Sequence, residues 1–169
     1  MTETIDALEL LTEQHAEVDE LFEKIEQSDD ADEKSTLFMQ LADKLAAHSA
    51  IEEKIFYPSV LTDDTCDDLL EFTEEHLAAK RILADMLALD PEDGHWDAKL
   101  SVLKEEIRHH AHDEEEGKLF PLLRKKMSAE QLAGLGNELL AMFEELIGQE
   151  PRMQIPSETT EAAHLEAYR

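Results

Sequence analysis

The sequence predicts an all-α protein, an up-down-up-down four-helix bundle with one additional helix near the C-terminus. Three observations support this fold class. A chain of 169 residues has the length of one ordinary domain. With only 5 Gly and 5 Pro, the chain has few of the residues that form turns, so a many-stranded sheet is not expected. Apolar residues recur at spacings of three and four over long stretches, which is the period of an amphipathic helix.

The first two predicted helices carry polar residues at positions that the helical period assigns to the core. His15 falls on the apolar stripe of the first helix, and both His48 and Glu52 fall on that of the second. The first stripe consists of Leu8, Leu11, His15, Val18, Phe22 and Ile25, and the second of Phe38, Leu41, Leu45, His48, Glu52 and Ile55.

The third and fourth predicted helices repeat this arrangement. The third helix ends near Asp90-Pro91, because proline disfavours a helical conformation in the residue before it. The fourth begins around Trp96. Each has one histidine on its stripe: the third carries Leu69, Phe72, His76, Ala79, Leu83 and Met86, and the fourth carries Leu100, Leu103, Ile107 and His110.

The remaining chain predicts one more helix and a tail. Ser128 and Gln131 form a capping-box pattern ahead of an apolar stripe, so a fifth helix is expected over residues 128–148. The four-helix bundle is then assigned to residues 1–127. Residues 149–169 show no sustained stripe, and we expect a flexible, loosely attached tail there.

Charge and cysteine content exclude several classes of protein. The formal net charge of -27 repels phosphate backbones and anionic lipid headgroups, so neither nucleic acid nor a membrane is an expected partner. No apolar run approaches the ~18 residues needed to span a bilayer, and no signal-peptide pattern opens the chain. A cytoplasmic location is therefore expected. Cys66 is the single cysteine, which rules out an internal disulfide and a thiolate metal cluster.

The chain contains an internal repeat. The five residues ending at His15 resemble the five ending at His76, and the segment from Glu52 to Pro58 resembles that from Glu115 to Pro121. Each half of the chain therefore predicts a helical hairpin, with histidine on one helix and both histidine and glutamate on the other. Two such hairpins related by a pseudo-twofold axis would direct their polar residues to a common centre.

Histidines on four helices, with glutamates among them, favour a metal site over a hydrogen-bonded polar core. His48 and Glu52 are four residues apart and share one helix face. A buried carboxylate without a partner costs several kcal/mol, and imidazole with carboxylate suits iron, manganese or zinc. Six ligands exceed the four of a closed zinc site and suit a dinuclear centre. The Glu-x-x-His motif of ferritin-like bundles occurs only at Glu106 to His109, which weakens that interpretation.

The register of the ligands on the fourth helix stays open. The spacing of the apolar residues before it places His110 on the inward face. The alignment of the segment 115–121 with the segment 52–58 instead places Glu115 at the position of Glu52. A single π-bulge would absorb this slip of one residue, and such bulges favour functional sites. We expect His110 with Glu115, and keep as alternatives Glu114 or the pair His112 with Glu116. Pairs at a spacing of four are His109 with Asp113, His110 with Glu114, and His112 with Glu116.

The repeated histidine and H-x-x-x-E pattern over about residues 5–127 resembles the hemerythrin-like, HHE cation-binding domains. His15, His48, Glu52 and His76 match that pattern directly. The resemblance implies two iron ions in a non-haem di-iron centre with an oxo or hydroxo bridge and carboxylate bridges. Lys80 stands where oxygen-carrying hemerythrins have a fifth histidine. Either His109 or His112 supplies that ligand, or one iron is more open.

The resemblance implies a protein that binds O2, NO or peroxide for sensing, storage or detoxification. A non-redox cation buffer or iron donor on the same bundle is the alternative. A binding protein is expected in preference to an enzyme, with weak peroxidase or NO-handling activity as the enzymatic option.

Overall fold

The computed structural model describes residues 5–165 and contains four helical rods. The first and third rods are each a single α-helix, Ala7–Gln27 (α1) and Cys66–Leu87 (α4). The second and fourth rods each join two α-helices through a π-helical segment. Their bounds, with the additional helix α7, are α1 (Ala7–Gln27), α2 (Ala31–Ile51), π segment (Glu52–Phe56), α3 (Tyr57–Val60), α4 (Cys66–Leu87), α5 (Gly94–Arg108), π segment (His109–Leu119), α6 (Phe120–Lys126) and α7 (Ala129–Ile147).

Two separate apolar clusters make up the core of the described part of the chain. One combines the beginnings of the first and third rods with the ends of the second and fourth, and α7 covers it. The other combines the opposite ends of the four rods. Neighbouring rods therefore run in opposite directions, and the prediction of an all-α up-down-up-down bundle with an additional helix is confirmed. In each rod, a histidine lies between the stretches that enter the two clusters.

The additional helix α7 packs against the first cluster through Leu132, Leu135 and Leu139. Its predicted capping box is present: the Ser128 hydroxyl accepts from the backbone N–H of Gln131. A Cβ at Gly136 would lie 2.7 Å from the carbonyl oxygen of Ile5. Glycine is therefore needed where the chain entering α1 crosses α7.

The π-helical segments change which residues face the core. The sequence predicts one π-bulge in the fourth rod, whereas the structure has an 11-residue π-helix there and a second of 5 residues after His48. In the second rod this moves the inward position from Ile55 to Phe56, which is fully buried. In the fourth rod, the wider π-helical turns let His110 and Glu115, which are five residues apart, face the same centre.

The expectation of a loose tail is wrong for the residues that follow α7. Pro151–Glu158 form a 3₁₀ helix, and Ile155 is buried in the second apolar cluster. Arg152 ties this segment to α2: its backbone N–H and Nη1 donate to Asp43 at 3.0 and 2.9 Å. Residues 166–169 of the predicted tail lie outside the described residues.

Among residues 5–165, the helices are too short or too polar for any of them to cross a membrane.

Candidate metal centre

The six side chains of the expected ligand set lie together between the two apolar clusters. Each comes from the middle of its rod, where an apolar stripe is interrupted by a histidine or glutamate. All are buried, and both glutamates have no solvent exposure. The six are His15, His48, Glu52, His76, His110 and Glu115.

The donor atoms fall into two groups that share a carboxylate. His15, His48, Glu52 and Glu115 each offer one ligand atom within 4.8 Å of the others, and Glu52 forms a second such group with His76 and His110. The first half of the chain thus supplies both histidines of one group, and the second half supplies both of the other. The internal repeat predicts that the polar residues of the four helices face a common centre, and the structure brings them together there.

Each glutamate lies between the two groups. Glu52 Oε1 is 3.2 Å from Nε2 of His48 and 3.2 Å from Nε2 of His76. Glu115 Oε1 is 3.3 Å from Nε2 of His15 and 3.4 Å from Nε2 of His110. Both carboxylates therefore stand where they could bridge two cations.

Every one of the four rings is fixed from its outer side. Each Nδ1 lies within hydrogen-bond distance of an oxygen that can only accept, so Nδ1 carries the proton and donates. This tautomer leaves the Nε2 lone pair free for the centre, as in metal-bound histidine. The Nδ1 acceptors are Glu116 for His15 at 2.6 Å, Gln14 for His48 at 2.6 Å, Glu53 for His76 at 3.1 Å and Glu75 for His110 at 2.9 Å.

Several inward atoms have no hydrogen-bond partner among the described residues. These are Nε2 of His15 and His48, both carboxylate oxygens of Glu52 and Oε1 of Glu115. Leaving one buried polar atom unpaired costs about 1–3 kcal/mol, and more for a charged group. Cations between these atoms would satisfy all of them, so the residues present fit a cation pair.

Without cations, protons take over part of the charge balance. Burial favours the neutral ring, but Glu115 and Glu116 raise the pKa of His15 to about 10. His76 behaves in the same way: its pKa rises to about 10 against the effect of burial, because the carboxylates of Glu52 and Glu53 lie beside the ring. Burial and the charge of Glu52 raise the pKa of Glu115 to about 7. Cation binding must therefore displace protons from this centre.

A model of the hemerythrin HHE cation-binding domain matches residues 6–123 of this chain. The chain belongs to the hemerythrin HHE cation-binding domain family. The family resemblance expected from the histidine and glutamate pattern is thereby confirmed.

Two relatives place this HHE domain among known proteins. A crystal structure of a hemerythrin HHE cation-binding domain-containing protein from Mycobacterium kansasii has a TM-score of 0.77 and 23% identity, covering 97% of this chain and 99% of that one. A protein of Nostoc sp. named DNA nickase is 29% identical over 127 residues, which is 75% of this chain and 36% of that protein. The chain thus spans about a third of the length of this curated relative.

A tyrosine that sequence analysis missed completes the centre of the HHE domain. The Tyr57 hydroxyl donates to Glu115 Oε2 at 3.0 Å and lies 3.3 and 3.2 Å from Nε2 of His76 and His110. Burial and the charges of Glu115 and Glu52 hold its pKa well above the usual value, so it is a neutral donor without cations. The internal repeat could have indicated this tyrosine, because Tyr57 in the first half of the chain corresponds to Phe120 in the second.

The alternatives for the fourth rod lie outside the HHE centre. Glu114 faces His109 on the outer side, with Oε1 3.0 Å from Nε2. His112 pairs with Glu116 at 2.9 Å and with Asp19 at 2.6 Å. Glu116 acts on the centre through His15, because its carboxylate accepts a hydrogen bond from Nδ1 of that ring.

A small cavity adjoins the same centre. Its volume is about 40 Å³, and all four histidines of the two groups line it. Ile155 from the 3₁₀ helix closes one side together with Ala79 and Leu83. A buried water needs about 10–15 Å³. The cavity therefore has room for a molecule of two or three heavy atoms.

Proposed function

We propose that this HHE chain is a non-haem di-iron protein that binds O2, NO or peroxide. The observation that carries the proposal is the convergence of four fixed Nε2 atoms and two carboxylates, many of them unpaired, on two positions beside a 40 Å³ cavity. Two iron ions held there would supply redox chemistry to a small molecule in that cavity. Sensing, storage and detoxification would all use this centre.

The residues of this chain have separate roles in the proposed centre. His15 and His48 would hold one ion, and His76 and His110 the other. Glu52 would bridge the two ions, since it belongs to both donor groups. A matching bridge would come from Glu115, whose Oε1 lies near one histidine of each group.

Other residues support the proposed centre without binding the ions. The outer acceptors Gln14, Glu53, Glu75 and Glu116 would keep each ring in its metal-binding tautomer. The apolar wall at Val18, Leu45 and Leu83 would exclude bulk water from the cavity.

Small molecules fit this chain better than DNA does. The nickase name belongs to a relative of which this chain covers 36%. A formal charge of -27 repels a phosphate backbone. We therefore do not extend DNA cleavage to this chain.

The test is to measure metal content and ligand response in one preparation. Protein loaded with Fe²⁺ under argon should contain two buried ions per chain and change its visible absorption when O2 or NO is added. His76→Ala should lose much of this response, whereas His95→Ala, at an exposed histidine, should keep it. Bound zinc with no response to either gas would overturn the redox proposal and favour a cation buffer.

A further inference from the structure

A third group of possible cation ligands lies on the outer face of the fourth rod. Nε2 of His109 is 3.0 Å from Oε1 of Glu114 and 3.9 Å from Oε2 of Glu75. Ligand atoms of these three residues lie within 4.8 Å of one another. One imidazole and two carboxylates suit a divalent first-row ion such as Fe²⁺, Mn²⁺ or Zn²⁺.

The outer group repeats the chemistry of the buried centre. Nδ1 of His109 lies 3.2 Å from the carboxylate of Asp113, so Nε2 is left to face Glu114 and Glu75. The same π-helical segment makes both pairs at a spacing of five: His110 with Glu115 inward, and His109 with Glu114 outward. The π-helical spacing that places His110 and Glu115 together on the inner side therefore also places His109 and Glu114 together on the outer side.

Exposure and charge suit capture of an ion from solvent. The side chain of His109 is 55% exposed, whereas that of Glu114 is 11% exposed and presents its carboxylate from within. Lys118 also lies near Glu114, with its Nζ 3.9 Å from Oε1. Glu106, one turn before His109, lines the 40 Å³ cavity beside the buried centre, and its Oε2 is buried without a hydrogen-bond partner among the described residues.

Glu75 joins the outer group to the buried centre. Its Oε1 accepts from Nδ1 of His110 at 2.9 Å, and its Oε2 faces Nε2 of His109. A cation held on the outer face would therefore be one carboxylate and one imidazole ring away from the buried donor atoms. This arrangement would shorten the step that an ion must make through the protein.

We propose that His109, Glu75 and Glu114 form a third cation site, which captures a divalent transition-metal ion at the surface and feeds it to the buried centre. The capture site depends only on the three residues of the outer group and does not require ions in the buried centre. Its feeding role rests on the proposed function, because it requires ions in the buried centre.

Equilibrium dialysis against Zn²⁺ tests the capture site. Wild-type protein should bind three ions per chain, and both His109→Ala and Glu114→Gln should bind two. His95→Ala is the matched control, because His95 is also exposed and pairs with one carboxylate, Asp93. Two ions on wild-type protein, or three on both variants, would overturn the site. If the buried centre bound nothing, wild-type protein would bind one ion per chain, and His109→Ala would bind none. Failure of the proposed function and failure of the capture site therefore give different numbers of bound ions.

The feeding role is tested by the rate of loading with Fe²⁺ under argon. Since a local charge of the right sign raises association rates by 10- to 1,000-fold, Glu114→Gln, which removes one negative charge of the site, should fill the buried centre about tenfold more slowly and reach the same final occupancy. The His95→Ala control should load at the wild-type rate. Equal rates for Glu114→Gln and wild-type protein would overturn the feeding role.

Discussion

Each ring of the proposed centre is held by a residue that is the sequence neighbour of another donor. Gln14 precedes His15 and accepts from His48, which belongs to the same half of the chain. Glu75 precedes the histidine of α4 in the same way and accepts from His110. One segment thus supplies both a donor and the support for a donor on the next rod.

The residues after the two glutamates make the same connection between the halves. Glu53 follows Glu52 and accepts from His76 in the second half. Glu116 follows the other buried glutamate and accepts from His15 in the first. These reciprocal contacts fix the two hairpins relative to each other at the centre.

Gln14→Met tests the support of one ring. The change keeps the size of the side chain but removes the oxygen that accepts from His48 Nδ1. Loss of such an outer contact typically weakens metal affinity by about 10- to 100-fold, and we expect this effect at the position built by His15 and His48. Chelator competition measures it, with exposed Glu13→Gln as the control. Unchanged affinity would show that the ring is oriented by packing alone.

Tyr57→Phe should cost more stability in the metal-free protein than in the loaded one. Without its hydroxyl donor, the buried Glu115 loses a hydrogen bond, which costs about 1–3 kcal/mol. Ions on the same carboxylate replace that partner, so the cost shrinks on loading. Urea unfolding of both forms measures the difference. Phe56→Leu, a packing change beside it, should cost the same in both forms; equal costs for Tyr57→Phe would contradict the argument.

The donor residues were predictable because histidine and glutamate at core positions are unusual. His15 and His76 stand out from apolar stripes, and the structure brings them together with the other expected ligands; cation binding itself stays a prediction. Apolar spacing alone could not choose Glu115 over Glu114, because the choice depends on a π-helical segment. Tyr57 escaped prediction because a tyrosine on an apolar face has the ordinary pattern of a core residue.

At the scale of elements, the 3₁₀ helix Pro151–Glu158 closes the cavity that the four rods leave open. Lys80 connects this element to the centre, since its Nζ lies 2.8 Å from Glu53 and 3.4 Å from Glu158. Sequence patterns could not reveal this helix, because it buries only Pro151 and Ile155. Two buried positions are too few to form a stripe.

Ile155→Ala tests this closure. The side chain is 1% exposed and lines the cavity, so truncation should enlarge the cavity and speed the reaction of iron-loaded protein with NO. Stopped-flow absorption measures the rate, and iron content should stay unchanged. Met153→Ala is the control, because Met153 lies in the same helix but is 65% exposed. Equal rates in wild-type protein and Ile155→Ala would mean that the ligand enters by another path.

At the scale of the whole molecule, charge and core architecture oppose folding in the absence of cations. The formal charge of -27 produces self-repulsion in the compact state. The polar centre separates two apolar clusters that would otherwise form one core. Cations bound in the centre would offset the cost of burying its polar groups. Any cation in solution would reduce the self-repulsion by screening.

Metal removal should therefore lower the unfolding temperature by an amount that screening does not explain. A ligand at 100 times its Kd stabilises by about 2.7 kcal/mol, and each kcal/mol shifts the Tm of a domain of this size by about 2–4 °C. We expect Fe²⁺ under argon to raise the Tm by at least about 5 °C over the metal-free protein. Calorimetry with Mg²⁺ at equal ionic strength gives the screening part. Glu52→Gln should keep the Mg²⁺ effect and lose most of the additional rise, because it removes the carboxylate shared by both donor groups. An equal rise in Glu52→Gln and wild-type protein would place the stabilising ions outside the buried centre.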